Sequence, residues 1–156
     1  MKRLAFTMIE LVFVIVILGI LTAIAIPRLA ATRTDAEIAK GRSDVSAIRA
    51  AIVSERQGRL LQGQSAYINR LDAGVAANTE GVMIFDNNGT ATNSLLQYGI
   101  TTASGNGHWV KSGDNTYTYM IMGEPTGFTY NRGTGVFTCN RDSIAPEDQY
   151  CKNLID

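Results

Sequence analysis

Glu10 is the residue whose chemistry most needs an explanation. It is the only charged residue in an otherwise uncharged, largely apolar run that extends from Phe6 to Ile26. An ionised carboxylate held in lipid costs at least about 2.5–3.5 kcal/mol, so an intramembrane carboxylate usually has a partner and a function. The sequence therefore indicates that a donor or a cation meets Glu10 when this segment is buried.

The other reactive side chains show no catalytic pattern. His108 is the only histidine and stands beside Trp109, with no nucleophile paired with it by sequence. The chain has neither a phosphate-binding loop nor a dinucleotide fingerprint. One His and two Cys are too few for a zinc site built from these residues alone, which usually needs four ligands. Enzymatic activity and a cofactor are therefore not expected.

Composition narrows the class of protein. The chain has 156 residues, 46% of them hydrophobic and 18% charged, which is typical of one modest folded domain with one extra element. The formal net charge is zero and the pI is near 6.6, which removes the electrostatic case for a dedicated nucleic-acid-binding protein.

The apolar run is long enough to cross a membrane. As a helix, residues 6–26 would span roughly 31 Å at about 1.5 Å per residue. Lys2 and Arg3 precede the run, and the positive-inside rule keeps that end in the cytoplasm. A plain signal anchor fits this pattern. A secretory signal cleaved near residues 23–25 also fits, although its apolar region usually has only about 7–15 residues. Neither interpretation explains Glu10.

A third interpretation explains Glu10 through a resemblance. The stretch from Lys2 to Glu10, KRLAFTMIE, resembles the class III signal of type IV pilins and type II secretion pseudopilins. In that family a prepilin peptidase cuts before Phe-Thr-x-x-Glu, and the new terminal Phe is N-methylated. The resemblance places the cut between Ala5, where the family usually has Gly, and Phe6. Phe6 would then be the methylated residue.

The resemblance extends to about residue 55 and includes two features of the apolar helix. Gly19 lies within it and Pro27 lies at its end, where the family often has both. Gly19 lowers helix propensity by about 1 kcal/mol relative to Ala. Pro27 lacks an N–H group and crowds a preceding carbonyl. We therefore expect the stretch from Gly19 to Pro27 to be the weakest part of the helix.

Cleavage would give Glu10 a partner. The new amine of Phe6 has a reference pKa near 8, so it is mostly cationic at neutral pH. Phe6 and Glu10 are four residues apart and share one helix face, so Glu10 can pair with its own amine or with that of a neighbouring subunit. The resemblance implies the pair between subunits, which sets the axial register of a filament.

The resemblance also implies location, partners and function. We expect a single-pass protein of the bacterial inner membrane, with its C-terminus in the periplasm. It would polymerise with itself and other pilin-like subunits after contact with prepilin peptidase and an inner-membrane assembly platform. A type II secretion pseudopilin is the favoured interpretation, and a type IV pilus or DNA-uptake subunit is the alternative. Nucleic acid is a partner only in an uptake pilus. A membrane-anchored binding domain is a remoter alternative.

The two cysteines are expected to form a disulfide. Cys139 and Cys151 enclose eleven residues, and thiols outside the inner membrane can oxidise. Major pilins of the family commonly carry such a C-terminal disulfide loop. Asp142, Glu147 and Asp148 lie inside it and could offer oxygen ligands to calcium, but three surface acids are more often solvated. The prediction is therefore a disulfide without a metal, with calcium as the weaker alternative.

The segment after Pro27 reads as an amphipathic helix to about residue 57. Its apolar residues form one stripe at helical spacing: Ile38, Val45, Ile48 and Ile52. Arg42, Arg49 and Arg56 recur every seven residues along the border of that stripe. In one interpretation, the stems of these arginines cover the edge of the stripe while the charged ends stay in water. In the other, the three arginines form a basic strip that meets acidic neighbours in a filament.

The remainder reads as a small β-rich head, so the predicted fold class is α+β, a long helix packed on an antiparallel sheet. Strands are predicted at 108–111, 116–122, 127–131 and 135–139, with a shorter one at 82–85. Short helices are predicted at 66–71 and 94–98. The predicted organisation is a leader at 1–5, a membrane and assembly helix at 6–27, its amphipathic continuation at 28–57 and an extracytoplasmic head at 58–156.

Overall fold

A computed structural model describes residues 6–86, 95–139 and 147–156 of the chain. Its main element is helix α1, Met8–Leu61, which continues through Gly19 and Pro27 without interruption. The helix ends at Leu61 and is followed by Gly63, which has a φ of 77°. The N–H groups of Gly63 and Gln64 donate to the carbonyls of Leu60 and Arg59, a common glycine cap. The helix therefore ends about one turn later than predicted, since the sequence indicated an end near residue 57.

The chain divides into two compact units, 1–35 and 36–156. The described part of the first unit is almost entirely helix α1, and every side chain from Phe6 to Leu29 is exposed. By length and composition, this helix is able to cross a membrane. An apolar surface of this extent is unfavourable in water, so its side chains must be covered by lipid or by protein.

The second unit contains the end of α1, two sheets and a short helix. Strands β1, Met83–Ile84, and β2, Ile100–Thr101, form an antiparallel pair. The larger sheet has four antiparallel strands in the order β3-β4-β5-β6. The bounds of the remaining elements are β3 Trp109–Gly113, β4 Thr116–Ile121, β5 Glu124–Asn131, β6 Val136–Cys139 and α2 Glu147–Ile155. The predicted α+β fold, a long helix with an antiparallel meander, is confirmed.

Each hairpin of the meander has a short turn. Asp114 and Asn115 connect β3 to β4, and residues 132–135 connect β5 to β6. Met122 and Gly123, with φ values of 52° and 84°, form the turn between β4 and β5. Two-residue hairpins favour the type I′ turn, which has positive φ at both central residues. Met122 is therefore a turn residue and β5 begins at Glu124, whereas the sequence predicted a strand to 122 and a later start at 127.

The core lies between the last half of α1 and the inner face of the sheet. Val45, Ile48 and Ile52 of the predicted apolar stripe are buried, and Ile38 is partly buried. Side chains on β4 alternate between partly and fully buried, as period-two patterning requires. The largest buried side chains are aromatic and pack edge-to-face, tilted or stacked: Phe85, Trp109, Tyr117, Tyr119, Phe128 and Phe137.

Gly41 brings helix α1 close to two other elements. A Cβ atom at this position would lie 2.5 Å from the Tyr119 ring on β4 and 2.6 Å from Leu154 on α2. Such distances are too short for any side chain. Glycine at position 41 therefore permits a helix–sheet–helix contact that the sequence pattern did not reveal.

Both predicted short helices were wrong. Residues 66–71 form no helix, because side chains of the meander hold the backbone: the Tyr130 hydroxyl donates to the Ile68 carbonyl, and Asn115 Nδ2 donates to the Asn69 carbonyl. Residues 95–98 form bends rather than helix, and Ser94 lies outside the described residues. Helix α2 was not predicted at all.

Candidate functional site

Thr7 caps the start of helix α1 and binds Glu10. The Thr7 carbonyl accepts the N–H of Leu11 at 3.2 Å, which is the first turn of the helix. The Thr7 N–H and Oγ1 both donate to Glu10 Oε2 at 2.8 Å, and the Glu10 N–H donates to Thr7 Oγ1 at 3.3 Å. This arrangement is a capping box, in which an N-cap Thr and a Glu three residues later satisfy each other's backbone donors.

A shallow apolar groove lies beside the Glu10 carboxylate. It is lined by residues on one helix face, namely Ile9, Val12, Phe13 and Val16, together with Glu10 itself. Phe6 is 80% exposed just before the helix begins. An apolar groove that includes the aliphatic stem of Glu10 can accommodate an apolar side chain.

In the uncleaved chain Glu10 binds Thr7, and its pair with the cleaved Phe6 amine stays a prediction. The sequence pairs Glu10 with the terminal amine of Phe6, but in the uncleaved chain Phe6 follows Ala5 and its nitrogen belongs to a peptide bond. The partner that the structure shows is Thr7. Ala5, and with it the predicted cleavage site, lies outside the described residues.

Gly19 and Pro27 lie in the exposed part of α1. A Cβ atom at Gly19 would meet nothing within 4 Å, so no packing within the chain requires a glycine there. Pro27 has no N–H to donate to the carbonyl of Ala23, which removes one helical hydrogen bond. Nearby, the Thr22 hydroxyl donates to the Leu18 carbonyl at 2.7 Å and the Thr32 hydroxyl to the Arg28 carbonyl at 2.6 Å. Such back-bonding is associated with bent helices.

The disulfide between Cys139 and Cys151 is present and joins β6 to α2. The two Cα atoms are 5.8 Å apart, and both cysteines are buried. Of the weaker calcium candidates, Asp142 lies outside the described residues, Glu147 is in the first turn of α2, and Asp148 Oδ2 accepts a hydrogen bond from Lys152 at 2.6 Å. Within residues 6–86, 95–139 and 147–156, no group of three His, Cys, Asp or Glu side chains could hold a metal.

The three arginines along the apolar stripe contact the sheet and the short helix of the same chain. Arg42 donates from Nε and a terminal nitrogen to the Asn153 carbonyl on α2, and Arg49 Nε donates to the Phe137 carbonyl on β6. The Arg56 guanidinium lies over the Tyr67 ring, 4.3 Å from its centroid. The arginine strip thus fixes α1 to the head, a role that neither sequence interpretation included.

A buried ion pair connects the loop after α1 to the sheet. Lys111 Nζ on β3 lies 2.8 Å from Asp72 Oδ1, and the Tyr117 hydroxyl donates to Asp72 Oδ2 at 2.6 Å. Burial would raise the pKa of Asp72, but the hydrogen bonds from Lys111, Tyr117 and Gly74 outweigh it and hold the pKa below its ordinary value. Burial, followed by the hydrogen bond to Asp72, raises the pKa of Tyr117.

A second set of polar side chains connects α1, near the start of the unit 36–156, to the sheet. The Tyr119 hydroxyl donates to the Glu37 carbonyl at 2.7 Å, and Lys40 Nζ donates to the Gly107 carbonyl at 2.5 Å. Trp109 Nε1 donates to Asp44 Oδ2 at 3.0 Å. Burial raises the pKa of Asp44 despite this hydrogen bond, so the carboxylate is partly desolvated.

Among the described residues, then, the polar groups of the head serve packing, and His108 is exposed. Comparison with protein-family models, with curated proteins and with solved structures finds no match for this chain. The arrangement at the start of α1 is the strongest candidate for a functional site.

Proposed function

We propose that this chain is a pilin-like structural subunit that is stored in the bacterial inner membrane and polymerised into an extracytoplasmic filament. The observation that carries the proposal is Glu10, the only charge in the apolar run, set beside an apolar groove on an exposed helix directly after the Ala5-Phe6-Thr7 motif. We favour a type II secretion pseudopilin over a type IV pilus or DNA-uptake subunit.

The proposed assembly follows from the charges. Cleavage before Phe6 creates a cationic amine on an exposed phenylalanine. The Phe6 side chain of a neighbouring copy would enter the groove lined by Ile9, Val12, Phe13 and Val16, and its amine would reach Glu10. Because an unpaired buried charge is penalised, one axial offset between neighbouring helices is favoured over the others. The head would then lie outside the membrane, with its disulfide in an oxidising compartment.

The decisive experiment compares Glu10→Val with Asp35→Asn. Both variants remove one exposed carboxylate from α1, but Asp35 lies beyond the apolar run. Cleaved subunit in the membrane and subunit in sheared filaments are quantified for each. Glu10→Val should insert and be processed normally yet assemble poorly, since an unmatched buried partner costs about 3–5 kcal/mol. Asp35→Asn should assemble like the wild type.

The shorter variant Glu10→Asp tests geometry. It retains the charge but loses reach, so a partial assembly defect is expected. Normal assembly of Glu10→Val, with normal processing, would exclude the intermolecular ion pair. A wild-type protein that is never found in filaments would exclude the assembly function itself.

A further inference from the structure

Met122 places an exposed thioether at a junction between elements of the head. It lies in the turn between β4 and β5 with a φ of 52°, and its side chain is 58% exposed. The Met122 N–H donates to Glu37 Oε2 at 3.3 Å, and the N–H of Gly123 donates to Asn106 Oδ1 at 2.8 Å. The backbone of this turn is therefore held from α1 and from the loop before β3.

The sulfur of Met122 also meets helix α2. The Tyr150 hydroxyl donates to Met122 Sδ at 3.6 Å, and Tyr150 immediately precedes Cys151 of the disulfide. A thioether sulfur is only a weak acceptor, so this hydrogen bond contributes little while the sulfur is reduced. A hydroxyl donor nevertheless faces the one atom of the Met122 side chain that an oxidant attacks.

Oxidation would replace the weak acceptor with a strong one. A sulfur lone pair attacks one oxygen of hydrogen peroxide and the O–O bond breaks, so that the thioether and the peroxide become a sulfoxide and one molecule of water. The sulfur loses two electrons and the peroxide gains them. Because more than half of the Met122 side chain is exposed, the polar sulfoxide avoids the cost that burial in a core would impose. The Tyr150 hydroxyl would then donate to an oxygen atom.

We propose that Met122 is a site of oxidation by peroxides, and that its sulfoxide oxygen accepts the Tyr150 hydroxyl and fastens α2 to the β4–β5 turn. Oxidation of methionine usually disrupts packing, so a strengthened contact distinguishes this site from ordinary oxidative damage. Every residue involved belongs to the unit 36–156, so the site does not depend on the proposed filament.

Met83 is the internal control. Its side chain is 55% exposed, nearly the same as that of Met122, and among the described residues its sulfur makes no hydrogen bond. Hydrogen peroxide should therefore oxidise both methionines, with a structural effect from Met122 alone. Met122→Leu keeps the apolar character but cannot form a sulfoxide. Tyr150→Phe removes the donor and leaves Met122 open to oxidation.

The measurement is amide hydrogen exchange of α2 in the full chain in detergent, before and after treatment with hydrogen peroxide. Peptide mass spectrometry counts the oxygen atoms added at each methionine, and exchange in α2 follows its local opening. Oxidised wild type should exchange roughly two- to tenfold more slowly in α2, the range expected for one gained hydrogen bond. Met83→Leu should respond like the wild type, whereas Met122→Leu and Tyr150→Phe should show no slowing.

Four results would overturn the proposed site. Unchanged or faster exchange in oxidised wild type would show that the sulfoxide does not strengthen the contact. Equal slowing in Tyr150→Phe would exclude the hydroxyl as the donor. Slowing that persists in Met122→Leu would assign the effect to another methionine. An unmodified Met122 under conditions that oxidise Met83 would show that the hydrogen bond from Tyr150 protects the sulfur instead.

Discussion

Asp72 and Lys111 show how much one buried charge can matter in the head. Both side chains are almost fully buried, and the carboxylate binds Lys111, Tyr117 and two backbone N–H groups. A buried ion pair is often no more stabilising than apolar residues of the same size, whereas an unpaired buried charge is costly. The pair therefore specifies how the loop after α1 meets the sheet, and removal of one partner should be the damaging change.

Lys111→Met should lower the free energy of unfolding by about 3–5 kcal/mol, because it leaves the Asp72 carboxylate buried without its cation. The matched control is Lys152→Met, which breaks the exposed pair with Asp148 and should cost at most about 1 kcal/mol. Denaturation of the full chain in detergent, followed by fluorescence of the buried Trp109, measures both. Equal losses in the two variants would contradict the role assigned to Lys111.

The stability of the head should also depend on pH through Asp72. Because its folded pKa lies below the ordinary value of 3.8, the carboxylate contributes stability above that pH and loses it as the pH falls through the folded pKa. Asp72→Asn should therefore make the loss of stability in acid shallower. Asp44 has the opposite shift, so Asp44→Asn should make that loss steeper. Identical acid profiles in wild type, Asp72→Asn and Asp44→Asn would contradict both assignments.

Residue types and spacing revealed some of these groups and not others. Glu10 stands out because a charge in an apolar run is unusual, and the two cysteines stand out because they are the only pair. Asp72 and Lys111 are 39 residues apart and meet only because the sheet brings them together. Arg42 and Asn153 are 111 residues apart and meet only because α2 packs against α1. No local pattern marks such pairs, so sequence reasoning could not find them.

At the level of elements, periodicity was the reliable signal. The apolar stripe of α1 and the alternation in β4 were both found, because each follows the geometry of its own backbone. The segment 66–71 contains helix-compatible residues, but tertiary hydrogen bonds from the side chains of Tyr130 and Asn115 to its carbonyls decide its conformation. Helix α2 contains Cys151 of the disulfide, and its apolar stripe extends over less than two turns, which is too short a pattern to indicate a helix: Tyr150, Cys151, Leu154 and Ile155.

Two glycines in the same helix should respond to alanine in opposite ways. Gly41→Ala should destabilise the head by roughly 1–3 kcal/mol, because its Cβ would collide with Tyr119 and Leu154. Gly58→Ala, where a Cβ meets nothing within 4 Å, should stabilise by about 0.5–1 kcal/mol through helix propensity. Equilibrium unfolding of the full chain checks both values. Stabilisation by Gly41→Ala would show that α1 does not approach β4 and α2 this closely.

The whole molecule combines two units with different requirements. Residues 36–156 form a compact unit with its own aromatic core, disulfide and buried ion pair. The described part of residues 1–35 exposes apolar side chains on all faces of its helix, which requires a surrounding other than water. A head with its own core, which includes the second half of α1, and a helical segment before it that needs external partners fit the proposed subunit, which would pass from lipid into a protein filament.

Processing of the N-terminus precedes the passage from lipid into a filament, and it is the first step that the proposed function requires. The mature chain should begin at Phe6 and carry an N-methyl group, so its N-terminal peptide should have the mass of methylated Phe6-Thr7 and the residues that follow. Mass spectrometry of the protein from its native membrane measures this directly. Glu10→Val should give the same cleaved terminus, because the basic leader and Phe6 remain, which separates processing from assembly. A mature chain that begins after Ala25 would identify an ordinary secretory signal, and an intact Met1 on the membrane-bound protein would identify a plain anchor.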